Sequence, residues 1–247
     1  MKIIKRALIS LLVLCFWLFC FEAFSRRVDL GFIIPGVKDT LLALIGLFKK
    51  RVFYQSLAYS LIRVLSGYII GVLLGITAAL LAVSIKPVDY LLSPLMTVLK
   101  ATPVASFILV VWFLIGSSLV PTAIAVIMVM PIIYQNLTDG YRSIDPKLSE
   151  VCRVYSVGYL RRLRILVVPT LMKFLIPGLI TSCGLAWKSA IAAEIITYTK
   201  YSLGQDIVDA KNYFESAEMF ALTAVVIILS IIIERLIRLL ARKVGRA

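Results

Sequence analysis

Histidine is absent from this chain of 247 residues, and acidic side chains are scarce, with 13 Asp and Glu against 27 Lys and Arg. The lack of histidine removes the most common general base and a frequent metal ligand. The four cysteines form no CxxC pair and predict neither a metal site nor a redox centre; they are Cys15, Cys20, Cys152 and Cys183. No GxxxxGK(S/T) phosphate loop is present, which excludes ATP hydrolysis by such a loop. We therefore predict no catalytic residue, no metal and no cofactor.

Apolar side chains fill the chain instead. Hydrophobic residues make up 61% of it, and the mean hydropathy is +1.00. A soluble domain of this length cannot bury so much apolar surface, so lipid must be part of its solvent. The net charge of +14 comes from basic clusters between apolar runs, which favours charges that set membrane orientation over a nucleic-acid surface.

Several segments match the length of about 20 apolar residues that crosses a bilayer. The clearest cover residues 7–25, 64–85, 119–138, 174–198 and 217–233. A sixth is needed between residues 88 and 115, where Lys100 and Thr102-Pro103 predict a break or kink, because proline has no N–H to donate. Only residues 116–119 separate it from the next span, so the two form a tight hairpin. We predict an all-α transmembrane bundle of about six spans, as one domain over residues 1–247.

The N-terminus also fits the opening of a signal peptide, with Lys2, Lys5 and Arg6 ahead of an apolar run over residues 7–21. With residues 22–24 added the run is long enough to span, so a retained first helix is the prediction.

Basic residues near span ends are retained in the cytoplasm, which predicts a multi-pass protein with both termini inside. The N-terminus, the Lys86 turn, residues 139–168 and the C-terminal tail agree with this orientation. Residues 26–51 disagree, because they would lie outside and yet carry six basic side chains. Within them, residues 39–48 fit an amphipathic helix at the membrane interface.

Small residues recur every four positions in the second predicted span, at Gly67, Gly71, Gly75 and Ala79. This spacing lines one helix face with small side chains, so another helix can approach closely. The pattern predicts helix packing and no particular function.

Ionisable residues inside spans are costly and are candidates for function. Glu194 is interpreted either as a pathway residue or as a structural hydrogen-bond partner near the interface. For Lys188, a structural role, by snorkelling or an interhelical pair, is favoured over a pathway role. Pro103 is also a candidate for either a pathway role or a structural role. Arg63 and Glu22 lie near the outer ends of the first two spans, where they are placed to pair.

The longest basic segment, residues 139–168, contains a short predicted helix. Asp145-Pro146 is a good N-cap and first-turn pair, so a helix should run to about Tyr155. Its apolar face is formed by Leu148, Val151, Cys152 and Tyr155. An amphipathic helix there suits docking to a partner protein, while an ordinary basic loop on lipid headgroups is the alternative.

Part of this segment resembles the cytoplasmic "EAA" loop of ABC importer permeases, through Glu150, Gly158 and the Val167-Val168-Pro169 ending. Val151 and Cys152 replace the alanines of that motif, and Ser156 stands where its glycine is expected. Other landmarks follow in order along the chain. They are Ile34-Pro35-Gly36, residues 60–68, Thr102-Pro103 leading to residues 112–116, Ala186-Trp187 ahead of Ala193-Glu194, and Ser202-Leu203-Gly204.

Together these landmarks resemble the nitrate, sulfonate and taurine class of these permeases, the binding-protein-dependent transport system inner membrane components. The resemblance implies a bacterial inner-membrane subunit without its own ATPase site, which forms the pathway for a small solute such as an anion. It also implies partners: ABC ATPase subunits, a periplasmic or lipid-anchored substrate-binding protein, and a second permease copy in a homodimer, but no nucleic acid.

The same resemblance assigns ATPase docking to a coupling-helix region at residues 146–160, between the fourth and fifth spans, and to Pro169 beyond it. Its candidate contacts are Glu150, Cys152, Ser156 and Gly158. A membrane-embedded enzyme or an assembly factor with similar topology is the alternative function, although the ionisable residues within spans make no recognisable catalytic set.

Overall fold

A computed structural model describes residues 2–28 and 33–244, and all regular elements in this part are helical, as predicted. The helices are α1 (Lys2–Val28), α2 (Val37–Leu47), α3 (Arg51–Ser84), α4 (Lys86–Ala101), α5 (Val104–Ile115), α6 (Val120–Arg142), α7 (Pro146–Val154), α8 (Tyr159–Arg162), α9 (Val168–Thr197), α10 (Leu203–Asn212) and α11 (Ser216–Val244). A π-helical turn, Leu163–Val167, joins α8 to α9.

Within the described residues, four helices are long and apolar enough to cross a membrane, and the bent pair α4–α5 makes a fifth if it counts as one span. The four are Arg51–Ser84, Val120–Arg142, Tyr159–Thr197 and Ser216–Leu239. Arg51–Ser84 and Tyr159–Thr197 begin well before the spans predicted at residues 64–85 and 174–198. An apolar run marks only the part of a helix that meets lipid. The predicted first span forms α1, and its crossing of a membrane stays a prediction.

The break predicted at Thr102-Pro103 is present, and the axes of α4 and α5 differ there by 106°. Asp89 and Lys100, near opposite ends of α4, bind neighbouring positions of α6: Asp89 accepts from Tyr134, and Lys100 donates to Gln135. Asp89 also pairs with Arg142, two turns farther along α6, at 2.8 Å. These bonds hold α4 against α6, and the bend at Thr102-Pro103 means that the predicted third span is not a straight crossing.

The predicted tight hairpin between α5 and α6 is also present. Gly116 ends α5 with a φ of 73°, a left-handed conformation that glycine adopts without strain, and its N–H donates to the carbonyl of Trp112. α6 begins at Val120. The ends of α5 and α6 consequently lie on the same side of the bundle.

α6 is the central helix, since α3 and α9 both pack against it. A Cβ added at Gly67 would lie 2.5 Å from the carbonyl oxygen of Thr122, and one at Gly71 would lie 2.8 Å from Cβ of Val129. One at Gly75 would lie 2.8 Å from Ile133. Larger side chains at these positions would force α3 away from α6.

The predicted pairing of Glu22 with Arg63 is wrong. Glu22 binds Arg26, one turn along α1 at 2.8 Å, and accepts from the backbone N–H of Val37 at 2.7 Å. The i,i+4 spacing places Arg26 beside Glu22, whereas Arg63 has partners of its own, described below. Through Glu22, α1 holds the start of α2, the helix predicted at residues 39–48.

Candidate functional site

The candidate residues lie mainly at two ends of the bundle, joined by α9. The π-helical turn and α9 lead from α7 and α8 at one end, here called the α7 end, to α10 at the other, the α10 end. A buried polar cluster lies at the α10 end, and an exposed segment with apolar side chains lies at the α7 end.

Glu194 is the centre of the buried cluster and is fully inaccessible to solvent. Its Oε2 accepts hydrogen bonds from the hydroxyl of Ser60, at 2.8 Å, and from the N–H of Gly204, at 3.2 Å. Its Oε1 has no hydrogen bond among the described residues, and Nη1 of Arg63 lies 3.9 Å from it. The carboxylate therefore joins α3, α9 and α10 at one point.

Arg63 ties the same helices to the loop between α9 and α10. Its guanidinium donates to the carbonyls of Lys200, at 3.0 Å, and Tyr201, at 3.1 Å, and lies over the ring of Tyr59. These bonds fix the position of the loop that leads from α9 to α10. The landmark residues Ser60, Arg63 and Glu194 thus form one structural cluster.

Gly204 is required by this arrangement. A Cβ at this position would lie 2.4 Å from Cβ of Glu194 and 2.7 Å from the backbone nitrogen of Ile195. The Ser60 hydroxyl that donates to Glu194 also accepts from the N–H of Leu203, at 3.0 Å. In the sequence Ser202-Leu203-Gly204 was only a landmark, because its contact with Glu194 is made by a backbone N–H and no side chain indicates it.

An acidic residue of α10, Asp206, lies half-buried beside this cluster. Burial raises the pKa of Asp206 to about 6, the nearby Ser56 hydroxyl opposes the rise, and the charge of Asp209 adds to it. A carboxyl with this pKa changes its charge close to pH 6.

α7 is built as a rigid, short helix at the other end. Asp145 caps it, with its carboxylate accepting from the N–H of Lys147 at 2.8 Å, and Pro146 follows in the first turn. At its C-terminus the N–H of Val157 donates to the carbonyl of Cys152, and the N–H of Ser156 to that of Arg153. This pair of bonds is a Schellman motif, which satisfies the last carbonyls of the helix.

The Schellman motif places Ser156 in the left-handed conformation, with a φ of 50°. Glycine is the usual residue at such a position, which explains why the EAA pattern has glycine there. Gly158, with a φ of −58°, needs no such freedom and serves as the N-cap residue of α8. The displaced glycine is therefore not a structural substitute for the expected one.

Pro169 lies inside a longer helical run and does not start it. α9 begins at Val168, whose N–H donates to the carbonyl of Leu163 in the preceding π-helical turn. A proline cannot donate to the carbonyl four residues earlier, and a π-helical turn accommodates such a missing bond.

The segment around α7 exposes a set of large apolar side chains, here called the α7 patch. They are Leu148, Val151, Val154, Tyr155, Tyr159 and Leu160. Cys152, predicted on the same face, is buried, while Glu150 is exposed and lines a cleft with Tyr141 and Arg162. Sequence reasoning missed Val154, Tyr159 and Leu160, although their apolar character within a basic stretch was the available signal.

The remaining candidates lie apart from both clusters. Pro103 is exposed and directly precedes α5, where it forms the bend with α4. Lys188 is exposed on α9 and makes no hydrogen bond or ion pair with any described residue. Neither residue contacts Glu194 in the described part of the chain.

Known proteins resemble this chain along most of its length. The family described as "Binding-protein-dependent transport system inner membrane component" matches residues 71–246. The Bacillus subtilis aliphatic sulfonates transport permease protein SsuC is 25% identical over 220 residues, 87% of this chain and 79% of that protein. The bicarbonate transport system permease protein CmpB of Synechococcus elongatus is 29% identical over 66% of this chain and 60% of its own length. The Escherichia coli taurine transport system permease protein TauC is 25% identical, over 79% of this chain and 71% of its own.

Two solved structures share the fold. A chain from the crystal structure of an amino acid ABC transporter with histidines aligns with a TM-score of 0.61 and 20% identity, over 78% of this chain and 94% of that chain. A chain from the inward-facing MetNI methionine ABC transporter aligns with a TM-score of 0.55 and 14% identity, over 78% and 92%. The family match decides against a membrane-embedded enzyme or an assembly factor. With residues 71–246 matched and the permease fold in place, this chain belongs to the binding-protein-dependent transport system inner membrane components, the permease subunits of ABC transport systems.

Proposed function

We propose that this permease subunit imports a small anion and receives its energy from an ATPase subunit docked on the α7 patch. The α7 patch is the observation that carries the proposal. It presents large apolar side chains on a helix that is capped at both ends, so little order has to be gained on binding.

The surroundings of the patch suit a protein partner at the cytoplasmic surface. Arg153, Arg161 and Arg162 flank the apolar side chains, and Glu150 lines the adjacent cleft. An apolar centre with a charged rim is the usual composition of a protein interface. Binding to lipid headgroups would need only the basic side chains and not a rigid apolar patch, so the patch favours a protein partner.

Energy coupling then follows from differential binding. The ATPase subunit would bind the α7 patch in both orientations of the pathway, and ATP would favour one orientation over the other. Glu150, Cys152, Ser156 and Gly158 would act by shaping the docking segment, with Cys152 buried beneath it and Ser156 ending α7. Pro169 would act through the π-helical turn that connects this segment to α9.

Orientation follows from the basic residues. The α7 end would face the cytoplasm together with both termini, and the α10 end would face a periplasmic or lipid-anchored substrate-binding protein. Residues 1–247 would form one permease domain in a bacterial inner membrane.

A second copy of the chain would complete the pathway. α4 and α5 leave large apolar side chains exposed, among them Tyr90, Leu91 and Phe113, of which Phe113 is 92% exposed. Lipid or a second permease can cover such a surface. In a homodimer, the same surface of each copy would face its partner.

The substrate proposal rests on the relatives. Sulfonates, bicarbonate and taurine are named for SsuC, CmpB and TauC, and all carry a sulfonate or a carboxylate-like anionic group. The common feature that we carry over to this chain is a small solute with an anionic group, although taurine also carries an ammonium group.

Co-purification tests the docking proposal. The chain would be co-expressed with the ATPase and binding protein of its transport system and reconstituted in nanodiscs. The stoichiometry and the ATPase rate would be measured for the unchanged chain and for Tyr155→Ala/Leu160→Ala. We expect two copies each of the permease and the ATPase subunit. The double variant should co-purify with at least tenfold less ATPase subunit, because truncation of each buried interface anchor costs more than about 1 kcal/mol.

Tyr213→Ala is the matched control, because Tyr213 is as exposed as Tyr155 but lies at the α10 end. It should bind the ATPase like the unchanged chain. Normal ATPase binding and stimulation by Tyr155→Ala/Leu160→Ala would contradict docking on the α7 patch.

A further inference from the structure

We infer that one face of α9, with Lys188 at its centre, is an anion-attracting wall of the translocation pathway. This inference rests on the proposed import of an anion and deepens it, since it assigns contacts to that anion within the membrane. The face was not singled out by the sequence, in which Lys188 was one of several scattered ionisable residues.

The face is defined by helical spacing and exposure. Lys173, Pro177, Thr181, Lys188 and Ile195 are exposed at intervals that return to the same side of α9. Gly184 and Ala192 lie between them and are half-buried. The opposite side of α9 packs against α3, α6 and α11, with Trp187 and Ala190 fully enclosed. α5 packs beside this side at Leu185 and Ala192, while Lys188 itself stays exposed among the described residues.

Lys188 is too deep in the helix to reach water by extending along lipid. It lies about 14 Å from Thr197 along α9, at 1.5 Å per residue, whereas a lysine side chain reaches about half that distance. Side chains of a helix also lean toward its N-terminus, which for α9 is the α7 end, about 30 Å away. A lysine in this position must therefore face a water-filled space or a charged partner.

The described part of the chain provides no such partner. Lys188 and Lys173 make no hydrogen bond or ion pair there, whereas Lys100 on α4 donates to Gln135. Glu194 is the only acidic residue of α9, and its carboxylate is buried on the other side of the helix among Ser60 and Gly204. The exposed face therefore carries two positive charges and no negative one among its described residues.

Small side chains leave room for a solute beside this charge. A Cβ added at Gly184, one turn from Lys188, would meet no atom within 4 Å. Thr181 adds a hydroxyl that can donate to an anion. Lys173 lies about 22 Å farther toward the α7 end, so the two lysines would attract an anion at successive positions without holding it in one tight site.

Thiol modification tests the wall directly. Gly184→Cys would be made in a chain whose four native cysteines are replaced by alanine, and the complete transporter in nanodiscs would be treated with two thiosulfonate reagents of similar size, sulfonatoethyl (anionic) and trimethylammonioethyl (cationic). The rate of cysteine modification by each reagent would be measured without nucleotide and with trapped ATP. Each rate would be divided by the rate of the same reagent with a free thiol in solution. A charge about 6 Å from the thiol changes the ratio of the two rates about tenfold in water.

We expect the introduced cysteine to react in at least one nucleotide state, with the anionic reagent favoured about tenfold. Lys188→Gln should abolish that preference, and Lys188→Arg should keep it. Leu73→Cys is the matched control, because Leu73 is 58% exposed on the apolar helix α3 and should be shielded by lipid from both reagents. If Gly184→Cys does not assemble, Thr181→Cys replaces it with the same expectations.

Two outcomes would overturn the inference. In the first, the cysteine at position 184 is as unreactive as the one at position 73 in every nucleotide state. In the second, Lys188→Gln leaves the ratio of the anionic to the cationic reagent's rate unchanged. These outcomes are separate from failure of the proposed function. A transporter that hydrolyses ATP with its binding protein but is unreactive at position 184 contradicts only the anion wall. A chain that reacts there but binds no ATPase contradicts the docking proposal.

Discussion

At the scale of single residues, Glu194 and Gly204 depend on each other. The carboxylate is buried and satisfies the N–H of Gly204 and the hydroxyl of Ser60, while Arg63 balances part of its charge. A buried charge is tolerated only with such partners. The close approach of Gly204 is what allows α10 to supply one of them.

Gly204→Ala should therefore destabilise the chain. The added Cβ would overlap Cβ of Glu194, and overpacking of this kind costs about 1–3 kcal/mol. Thermal unfolding in detergent, followed by the loss of the monodisperse peak, would measure the effect as a lower midpoint. Gly46→Ala in α2 is the control, because a Cβ there meets nothing within 4 Å. It should be neutral or stabilising, and an equal loss in both variants would refute the close-approach argument.

At the scale of elements, α7 shows how a helix end is positioned by backbone conformation. Ser156 occupies the left-handed residue of the Schellman motif, and a non-glycine residue pays about 1 kcal/mol for that conformation. Gly158 lies in an ordinary conformation with open space around it. The backbone conformation therefore favours glycine at position 156 and not at position 158.

Ser156→Gly should stabilise α7 by up to about 1 kcal/mol, and hydrogen–deuterium exchange of its amides should slow. Gly158→Ala should leave the exchange of α7 unchanged, because alanine fits this backbone conformation and any loss of N-cap preference falls on α8. Faster exchange in Ser156→Gly, or loss of α7 protection in Gly158→Ala, would show that the glycine requirement lies at position 158.

At the scale of the whole molecule, the two ends of the bundle differ in chemistry. The α7 end presents an apolar patch among arginines, while the α10 end holds Asp206, Asp209 and Glu218 near Lys50, whose amine binds Glu218 at 2.6 Å. Because basic residues are retained in the cytoplasm, this difference is what supports the proposed orientation of the bundle. The basic residues 26–51 oppose it and make a direct test worthwhile.

Two tyrosines provide that test, because Tyr155 and Tyr213 are 78% and 77% exposed at opposite ends. In a cysteine-free background, Tyr213→Cys should react with a membrane-impermeant thiol reagent in intact spheroplasts, and Tyr155→Cys should react only after lysis. Peptide mass spectrometry would quantify both. The reverse pattern would mean that the α7 end faces outward and would exclude ATPase docking there.

The sequence by itself determined the all-helical membrane class, most spans, the break at Thr102-Pro103, the start of α7 and the family. These depend on apolar runs, on proline and on capping residues, which act locally and are visible in a linear pattern. It also placed Gly67, Gly71 and Gly75 on one helix face without naming the helix that packs there.

Only the tertiary structure decided which distant residues meet. Glu194 binds Ser60 and Gly204, and Arg63 pairs with Glu194 and not with Glu22, because the packing of α3, α9 and α10 sets these contacts. The same holds for Lys188. Its charge was plain in the sequence. Its lack of a partner among the described residues and its place on an exposed face of α9 depend on which sides of that helix the bundle covers.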